Sequence, residues 1–147
     1  METILDAGHS WFLERLAYHD ALEIYIVEGI QSAEPQKIQI TGVGLGEGYS
    51  TDVTEKSRHF LVVFENVLAY QVTNESYMTR DEYEIKTKGV LCKYERSRYL
   101  DFIQSWTLID SLRAGAYTHF GLVLEDDIID VVAEAEPRIK QLSPVSS

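Results

Sequence analysis

Apolar and polar residues alternate in many short segments of this chain, and this alternation restricts the fold to one built mainly of β-strands. The clearest segment is 59–73, which contains two alternating runs separated by Glu65-Asn66. Its apolar positions are Phe60, Val62, Phe64, Leu68, Tyr70 and Val72. Because strand side chains point alternately to the two faces of a sheet, this pattern predicts strands with one buried face. Glu65-Asn66 is predicted to form a tight turn or a bulge.

Other alternating segments are separated by short turn sequences. Lys88-Gly89 follows one such segment, and Glu125-Asp126-Asp127 separates residues 117–124 from residues 128–133. Short turns join antiparallel strands, because parallel neighbours need a long crossover connection. The sequence therefore predicts an α+β fold, mainly an antiparallel curled sheet or sandwich of about seven or eight strands with two helices.

Two segments have the spacing of an amphipathic helix instead of a strand. Ser10 and Ser97 are the candidate N-caps, because a serine side chain accepts a hydrogen bond from the first turn of a helix. The apolar residues that follow Ser10 at helical spacing are Phe12, Leu13, Leu16 and Ala17. Those that follow Ser97 are Tyr99, Leu100, Phe102, Ile103 and Trp106. We predict a helix after each serine, with these apolar residues on its buried face.

The chain has the length of one domain, with 147 residues and neither a repeat nor a linker. Residues 1–142 are predicted to form a single globular domain, and residues 143–147 a flexible tail. One cysteine, Cys92, excludes an intramolecular disulfide and is expected to be a small core residue. The first residues lack the basic and apolar regions of a signal peptide, so we expect a cytoplasmic protein.

The charge balance restricts the partners that this chain can bind. There are 13 Lys and Arg residues against 24 Asp and Glu residues, which gives a net charge of −11 with neutral histidines. A protein that binds nucleic acid or an anionic membrane needs a basic surface, so neither partner is expected. A basic protein partner fits the charge, because opposite fields accelerate association.

A glycine run, Gly42-Val43-Gly44-Leu45-Gly46-Glu47-Gly48, invites comparison with nucleotide-binding loops. The dinucleotide motif G-x-G-x-x-G requires a glycine where this run has Glu47 or Tyr49. The phosphate-loop motif requires Gly-Lys followed by Ser or Thr, which is absent from the sequence. We therefore expect no cofactor here and interpret residues 42–56 as a mobile loop.

The histidines provide the only candidates for acid–base chemistry. The four of them are His9, His19, His59 and His119. No two lie within five residues of each other, so the helical metal-binding pair is absent and no metal site is predicted. If the protein is an enzyme, His59 and His119 are the candidates, although no catalytic residue is assigned.

An acidic turn and two tyrosines are the candidates for binding a protein partner. Glu125, Asp126 and Asp127 form the turn, and Asp130 follows it. Tyr49 and Tyr77 lie near the ends of predicted loops. Tyrosine offers a large contact area and a hydrogen-bonding tip, which suits an interface.

Several stretches of the sequence resemble a family of small bacterial proteins with no assigned activity. They are residues 60–65 and 70–77, Ser97-Arg98-Tyr99-Leu100, His119-Phe120-Gly121 and Ile128-Ile129-Asp130-Val131-Val132. The resemblance implies a bacterial origin and assigns no role to any residue. If the family shares a site, its polar residues are the place to look: Asn74, Glu75, Ser76, His119 and Asp130.

The acidic balance, the nine tyrosines and the lack of a catalytic motif together favour a non-enzymatic binding protein. Its most specific form is an immunity-type inhibitor that masks a basic toxin, such as a nuclease. One alternative is a small enzyme, which requires that His59 or His119 contact a carboxylate and open onto a cavity. The other alternative is a self-associating structural domain.

Overall fold

The computed structural model describes residues 1–32, 36–40, 43–48, 51–113 and 115–143. The strands are β1 (Ser10–Tyr18), β2 (Ala21–Gln31), β3 (Gln36–Ile40), β4 (Val43–Gly48), β5 (Thr51–Asp52), β6 (His59–Glu65), β7 (Val67–Asn74), β8 (Ile85–Lys86), β9 (Leu91–Arg96), β10 (Thr118–Val123), β11 (Asp127–Ala133) and β12 (Arg138–Leu142). The helices are α1 (Arg98–Trp106) and α2 (Ile109–Arg113). Two short 3₁₀ turns occupy Ile4–Ala7 and Glu75–Tyr77.

Ten of these strands form two antiparallel sheets with five strands each. The first sheet has the order β1-β2-β6-β12, and β5 pairs with the C-terminal end of β2. The second sheet has the order β7-β11-β10-β9-β8, and β3 and β4 form a separate two-stranded ribbon. The predicted α+β class with antiparallel sheets is confirmed. The strands outnumber the predicted seven or eight because β1 was assigned to a helix, and β4, β5 and β12 were not predicted as strands.

The two sheets share one hydrophobic core, as the alternating pattern requires. Its fully buried side chains come from the inner faces of both sheets and include Leu22, Ile24, Ile26, Phe60, Val62, Phe64, Phe120, Leu122, Ile129 and Val131. The rings of Phe64 and Phe120 meet across the core with centroids 5.5 Å apart. Between β6 and β7, Asn66 adopts a positive φ of 52°. The chain bends here from the first sheet to the second, so β6 and β7 do not pair with each other as the strands of a hairpin would.

Residues 10–18 form β1, so the prediction of a helix in this segment is wrong. The pairing register between β1 and β2 shifts after Leu13, at a β-bulge. Trp11 and Leu13 contact the core before the bulge, and Leu16 contacts it afterwards. A bulge inserts one extra residue into a strand, so core-facing residues on either side of it are three positions apart. That spacing imitates the period of a helix.

The glycine run contains β4, so the loop predicted for residues 42–56 is wrong in this part. The backbone of β4 pairs with β3, and Thr51–Asp52 then pairs with β2. Gly42 and Tyr49 lie outside the described residues.

The outer face of the second sheet carries both helices. Helix α1 begins at the predicted cap, because the Oγ atom of Ser97 accepts a hydrogen bond from the backbone N–H of Leu100 at 3.0 Å. Ile103 and Ile109 anchor α1 and α2 on Val132 of β11. In the part of the chain that the structure describes, no helix has the length and apolar character needed to cross a membrane.

Candidate functional site

Polar side chains form a buried network on the outer face of the second sheet, beneath α1. The Nε2 atom of His119 lies 2.8 Å from Oδ1 of Asp130, and its Nδ1 atom lies 2.7 Å from Oγ of Ser97. The Nε2 atom of Gln71 donates to the other carboxylate oxygen of Asp130 at 3.1 Å. Ser97, His119 and Asp130 are 0%, 1% and 6% exposed, respectively. Gln71 is exposed and lies at the edge of the network. We call these four residues the buried network.

Strand register brings the network together from three strands. Gly121 of β10 pairs with Asp130 of β11, which in turn pairs with Gln71 of β7. Residues directly opposite each other in an antiparallel pair share one face of the sheet, and so do residues two positions apart along a strand. His119, two residues before Gly121, therefore lies diagonally across from Asp130. The sequence contains all four residues but does not show which strands are neighbours.

Gly121 leaves space for an aromatic ring that covers His119. Tyr94 lies parallel to the His119 ring, with centroids 3.9 Å apart and planes inclined by 6°. A Cβ atom on Gly121 would lie 2.7 Å from Cε2 of Tyr94, closer than carbon atoms approach without a shift. Tyr99 of α1 packs edge-on against the same ring at 5.3 Å. The imidazole is thus enclosed by aromatic side chains.

One hydrogen-bond arrangement gives each buried polar side-chain atom of Ser97, His119 and Asp130 a partner. The Ser97 hydroxyl donates to Nδ1 of His119 while accepting from Leu100, and Nε2–H of His119 donates to Oδ1 of Asp130. Each group then has a partner, as buried polar groups require. The arrangement orients Asp130 firmly and stabilises the start of α1.

The residue types Ser, His and Asp also occur in hydrolase triads, but the geometry here differs in a decisive way. A triad serine must present its Oγ atom to a substrate, with an oxyanion hole beside it. Ser97 is fully buried, and its Oγ atom is occupied by the backbone of α1 and by His119. The geometry therefore fits a structural role for Ser97.

Asp130 and Gln71 are the members of the network that reach a cavity. This Asp130 cavity has a volume of about 240 Å³ and lies between β7, β9, β11 and the start of α1. Its lining includes Glu84, Tyr94, Arg98, Tyr99 and Asp130. Burial raises the pKa of Tyr99 to about 12 and also raises the pKa of Tyr94, so both phenols stay neutral at physiological pH.

Not every charged side chain around the Asp130 cavity has an oppositely charged partner. The Nε atom of Arg98 donates to Oδ2 of Asp81 at 2.8 Å. The backbone N–H of Tyr83 and then Arg98 lower the pKa of Asp81. Burial raises the pKa of Glu84, and the nearby Asp81 and Asp130 carboxylates add to the effect, while Lys86 and His119 oppose it. Arg98 is thus engaged by Asp81, and the cavity keeps an excess of negative charge.

Large apolar side chains are exposed beside this cavity. Trp106, Leu108 and Leu112 are 76%, 70% and 72% exposed, and Phe102, which stacks with Trp106, is 52% exposed. The prediction that Phe102 and Trp106 face the core is therefore wrong, because α1 is anchored through Ile103 instead. We call the surface formed by Leu68, Phe102, Trp106, Leu108 and Leu112 the α1–α2 face.

Two grooves continue along the α1–α2 face. One groove, of about 540 Å³, lies between both helices and Leu68 of β7, and a second, of about 380 Å³, lies between α1 and β7. Leu68 and Ile103 line both grooves. Gln71 and Tyr99 line both the second groove and the Asp130 cavity. The apolar surface and the acidic cavity are therefore continuous.

The other acid–base candidate, His59, lies on the outer face of the first sheet. Its Nδ1 atom is 2.6 Å from Oε1 of Glu14, and the two side chains are 39% and 44% exposed. Both residues line a depression of about 410 Å³ together with Arg15 and Tyr25. The pair meets the geometric condition set for the enzyme alternative, but exposed ion pairs of this kind are common and contribute about 0–1 kcal/mol.

The structure brings two of the residues predicted to bind a partner together, because Tyr77 and Asp130 line the same cavity. Glu125 and Asp126 are exposed at the hairpin between β10 and β11, whereas Asp130 lies in the buried network. Tyr77 is 83% exposed and lies at the wall of the Asp130 cavity. Cys92 is fully buried, and burial raises the pKa of its thiol, which confirms the predicted core position.

Sequence reasoning missed Gln71, Glu84 and the role of Tyr94, because each depends on which strands are neighbours. It also missed the exposed apolar residues of α1, because helical spacing predicted that the whole apolar stripe from Tyr99 to Trp106 faces the core.

Among the described residues, no group of three or more His, Cys, Asp or Glu side chains is placed to hold a metal ion. Comparisons with family models, curated proteins and solved structures found no match to this chain. The resemblance to small bacterial proteins therefore stays a prediction, and the function has to be argued from the geometry.

Proposed function

We propose that this protein is a non-enzymatic binding protein whose α1–α2 face docks a basic protein partner. The observation that carries the proposal is the exposure of Phe102, Trp106, Leu108 and Leu112 on two adjacent short helices and the turn between them. Contiguous exposed apolar surface on a folded domain marks an interaction site, and tryptophan is enriched among the residues that dominate binding energy.

The charge of the chain supports a basic partner over a second copy of the same chain. A second copy also carries a net charge of −11 and is repelled. Asp101 and Asp110 are exposed on the same helices, where each accepts a hydrogen bond from a tyrosine hydroxyl, of Tyr83 and of Tyr117 respectively. An apolar centre with an acidic rim is complementary to a partner with an apolar centre and a basic rim. An immunity-type inhibitor of a basic toxin is the most specific form of this proposal.

The test uses a photo-crosslinking amino acid at position 106 and, as a control, at position 140. Lys140 is exposed on β12 of the first sheet, far along the fold from α1. The two variants are expressed in the native host, and crosslinked proteins are identified by mass spectrometry. We expect one adduct specific to position 106, with a basic partner.

The captured protein is then purified and its affinity for three versions of the chain is measured. Trp106→Ala should weaken binding by about tenfold or more, as removal of a central aromatic anchor does. Val53→Ala removes a side chain that is 54% exposed on the first-sheet side and should leave the affinity unchanged. The affinity should also fall as salt rises. Equal adducts at both positions, a second copy as the adduct, or an unaltered affinity of Trp106→Ala would each overturn the proposal.

A further inference from the structure

The Asp130 cavity combines carboxylates with aromatic walls. Asp130 is held from behind by His119 and Gln71, so its position is set before any ligand arrives. Glu84 lines the same cavity, and Tyr94 and Tyr99 form part of its wall. Carboxylates give a cation its charge partner, and the faces of aromatic rings attract cations as well.

The basic side chains near the cavity do not form ion pairs with these carboxylates. Among the residues that the structure describes, no lysine or arginine lies within ion-pair distance of Glu84 or Asp130. Arg98 pairs with Asp81, and Lys86 lies over the ring of Tyr94, 5.5 Å from its centroid. Within the lining, Arg98 offsets the charge of Asp81, and Glu84 and Asp130 carry the remaining negative charge. Lys86, which is not part of the lining, offsets some of the charge of Glu84.

We infer that the Asp130 cavity binds a guanidinium or ammonium group. The inference extends the proposed function, because a basic side chain of the docked partner is placed to enter: Gln71 and Tyr99 line both the cavity and the adjoining apolar groove. At about 240 Å³, the cavity has the volume of about eight water molecules at roughly 30 Å³ each, enough for the end of a long side chain. The alternative source of the same chemistry is a free small amine.

The test titrates the intact chain with a defined probe, N-acetyl-arginine methylamide, and follows backbone amide chemical shifts. The neutral control probe is N-acetyl-norleucine methylamide, which keeps an alkyl side chain without the charge. We expect saturable shifts around β7, β9, β11 and the start of α1 with the arginine probe only. Agmatine, which carries a guanidinium group without a peptide backbone, tests the free-amine source in a second titration.

Variants locate the charge that binds the probe. Glu84→Gln and Asp130→Asn should each weaken probe binding by about fivefold or more, because each removes one negative charge from the cavity. Asp126→Asn removes the same charge at the exposed hairpin and should leave binding unchanged. Glu84→Gln retains the His119 contact of Asp130, so it tests the inference even if Asp130→Asn perturbs the fold.

Three results would overturn the inference: no saturable shift with the arginine probe, equal shifts with the norleucine probe, or equal weakening by Asp126→Asn and Glu84→Gln. Trp106→Ala leaves the cavity intact and should not alter probe binding. If the titration fails, the cation site is refuted, but the proposal for the α1–α2 face is not affected. If the titration succeeds and the crosslinking fails, the cation site is supported without a docked partner. Tighter binding of agmatine than of the blocked arginine assigns the cavity to a free amine and overturns its occupation by a partner side chain.

Discussion

Replacing Ser97 by alanine tests whether the buried network is a structural unit. The hydroxyl makes two contacts, one with the backbone N–H of Leu100 and one with Nδ1 of His119. Loss of an N-cap costs about 1 kcal/mol. A buried ring nitrogen left without a donor costs about 1–3 kcal/mol. We therefore expect Ser97→Ala to lower the free energy of unfolding by about 2–4 kcal/mol, which corresponds to a fall in Tm of roughly 4–16 °C.

The measurement is urea unfolding followed by circular dichroism, with Ser105→Ala as the matched control. Ser105 lies on the same helix, is exposed, and donates only to the backbone oxygen of Phe102 at 3.1 Å. Its replacement should change stability by no more than about 0.5 kcal/mol.

A double-mutant cycle separates the two contributions of Ser97. In a His119→Phe background the unpaired ring nitrogen no longer exists, so Ser97→Ala should cost only the cap, about 1 kcal/mol. If Ser97→Ala is as mild as Ser105→Ala, or if its cost is the same in both backgrounds, the hydroxyl does not support His119 and the network is not a unit.

Two further predictions concern the ion pair of the first sheet and the glycine beneath Tyr94. The hydrogen bonds from Arg58 lower the pKa of the buried Glu28 carboxyl below its ordinary value of 4.5, so the pair stabilises the fold above that pH and the stabilisation is lost as the pH falls through the folded-state pKa. Glu28→Gln should therefore lower the free energy of unfolding by about 1–3 kcal/mol at pH 7, and by progressively less below about pH 4.5. The measurement is urea unfolding from pH 7 to pH 3, and a loss of stability that does not change with pH contradicts the prediction. Gly121→Ala places a Cβ atom 2.7 Å from Cε2 of Tyr94 and should cost about 1–3 kcal/mol, with an altered near-ultraviolet spectrum; wild-type stability and spectrum would show that the ring moves freely.

Local sequence patterns predicted the elements whose signals are local. The strand at 59–65 follows from alternation, because Phe60, Val62 and Phe64 are buried on one face. Residues 67–74 also form the predicted strand, but the buried face predicted for it is wrong, because Leu68, Tyr70 and Val72 are 36%, 37% and 44% exposed at the edge of the second sheet. Ser97 was predicted as a cap because its hydrogen bond joins residues three apart. The same reasoning failed at residues 10–18, where a bulge changed the spacing between core-facing residues from two positions to three. It also failed at Trp106, which lies outside the part of α1 that contacts the sheet.

The sequence by itself determined the class of fold, the acidic charge and the lack of a familiar catalytic motif, because composition and short-range spacing carry that information. The turn predicted at 125–127 makes the strands of His119 and Asp130 neighbours, but only the tertiary structure decided that Gln71 and Ser97 meet them, since those contacts join segments far apart in the chain. It also decided that the α1–α2 face is left uncovered. Burial depends on what lies opposite a side chain, and helical spacing alone does not show that Trp106 and Leu112 are left exposed.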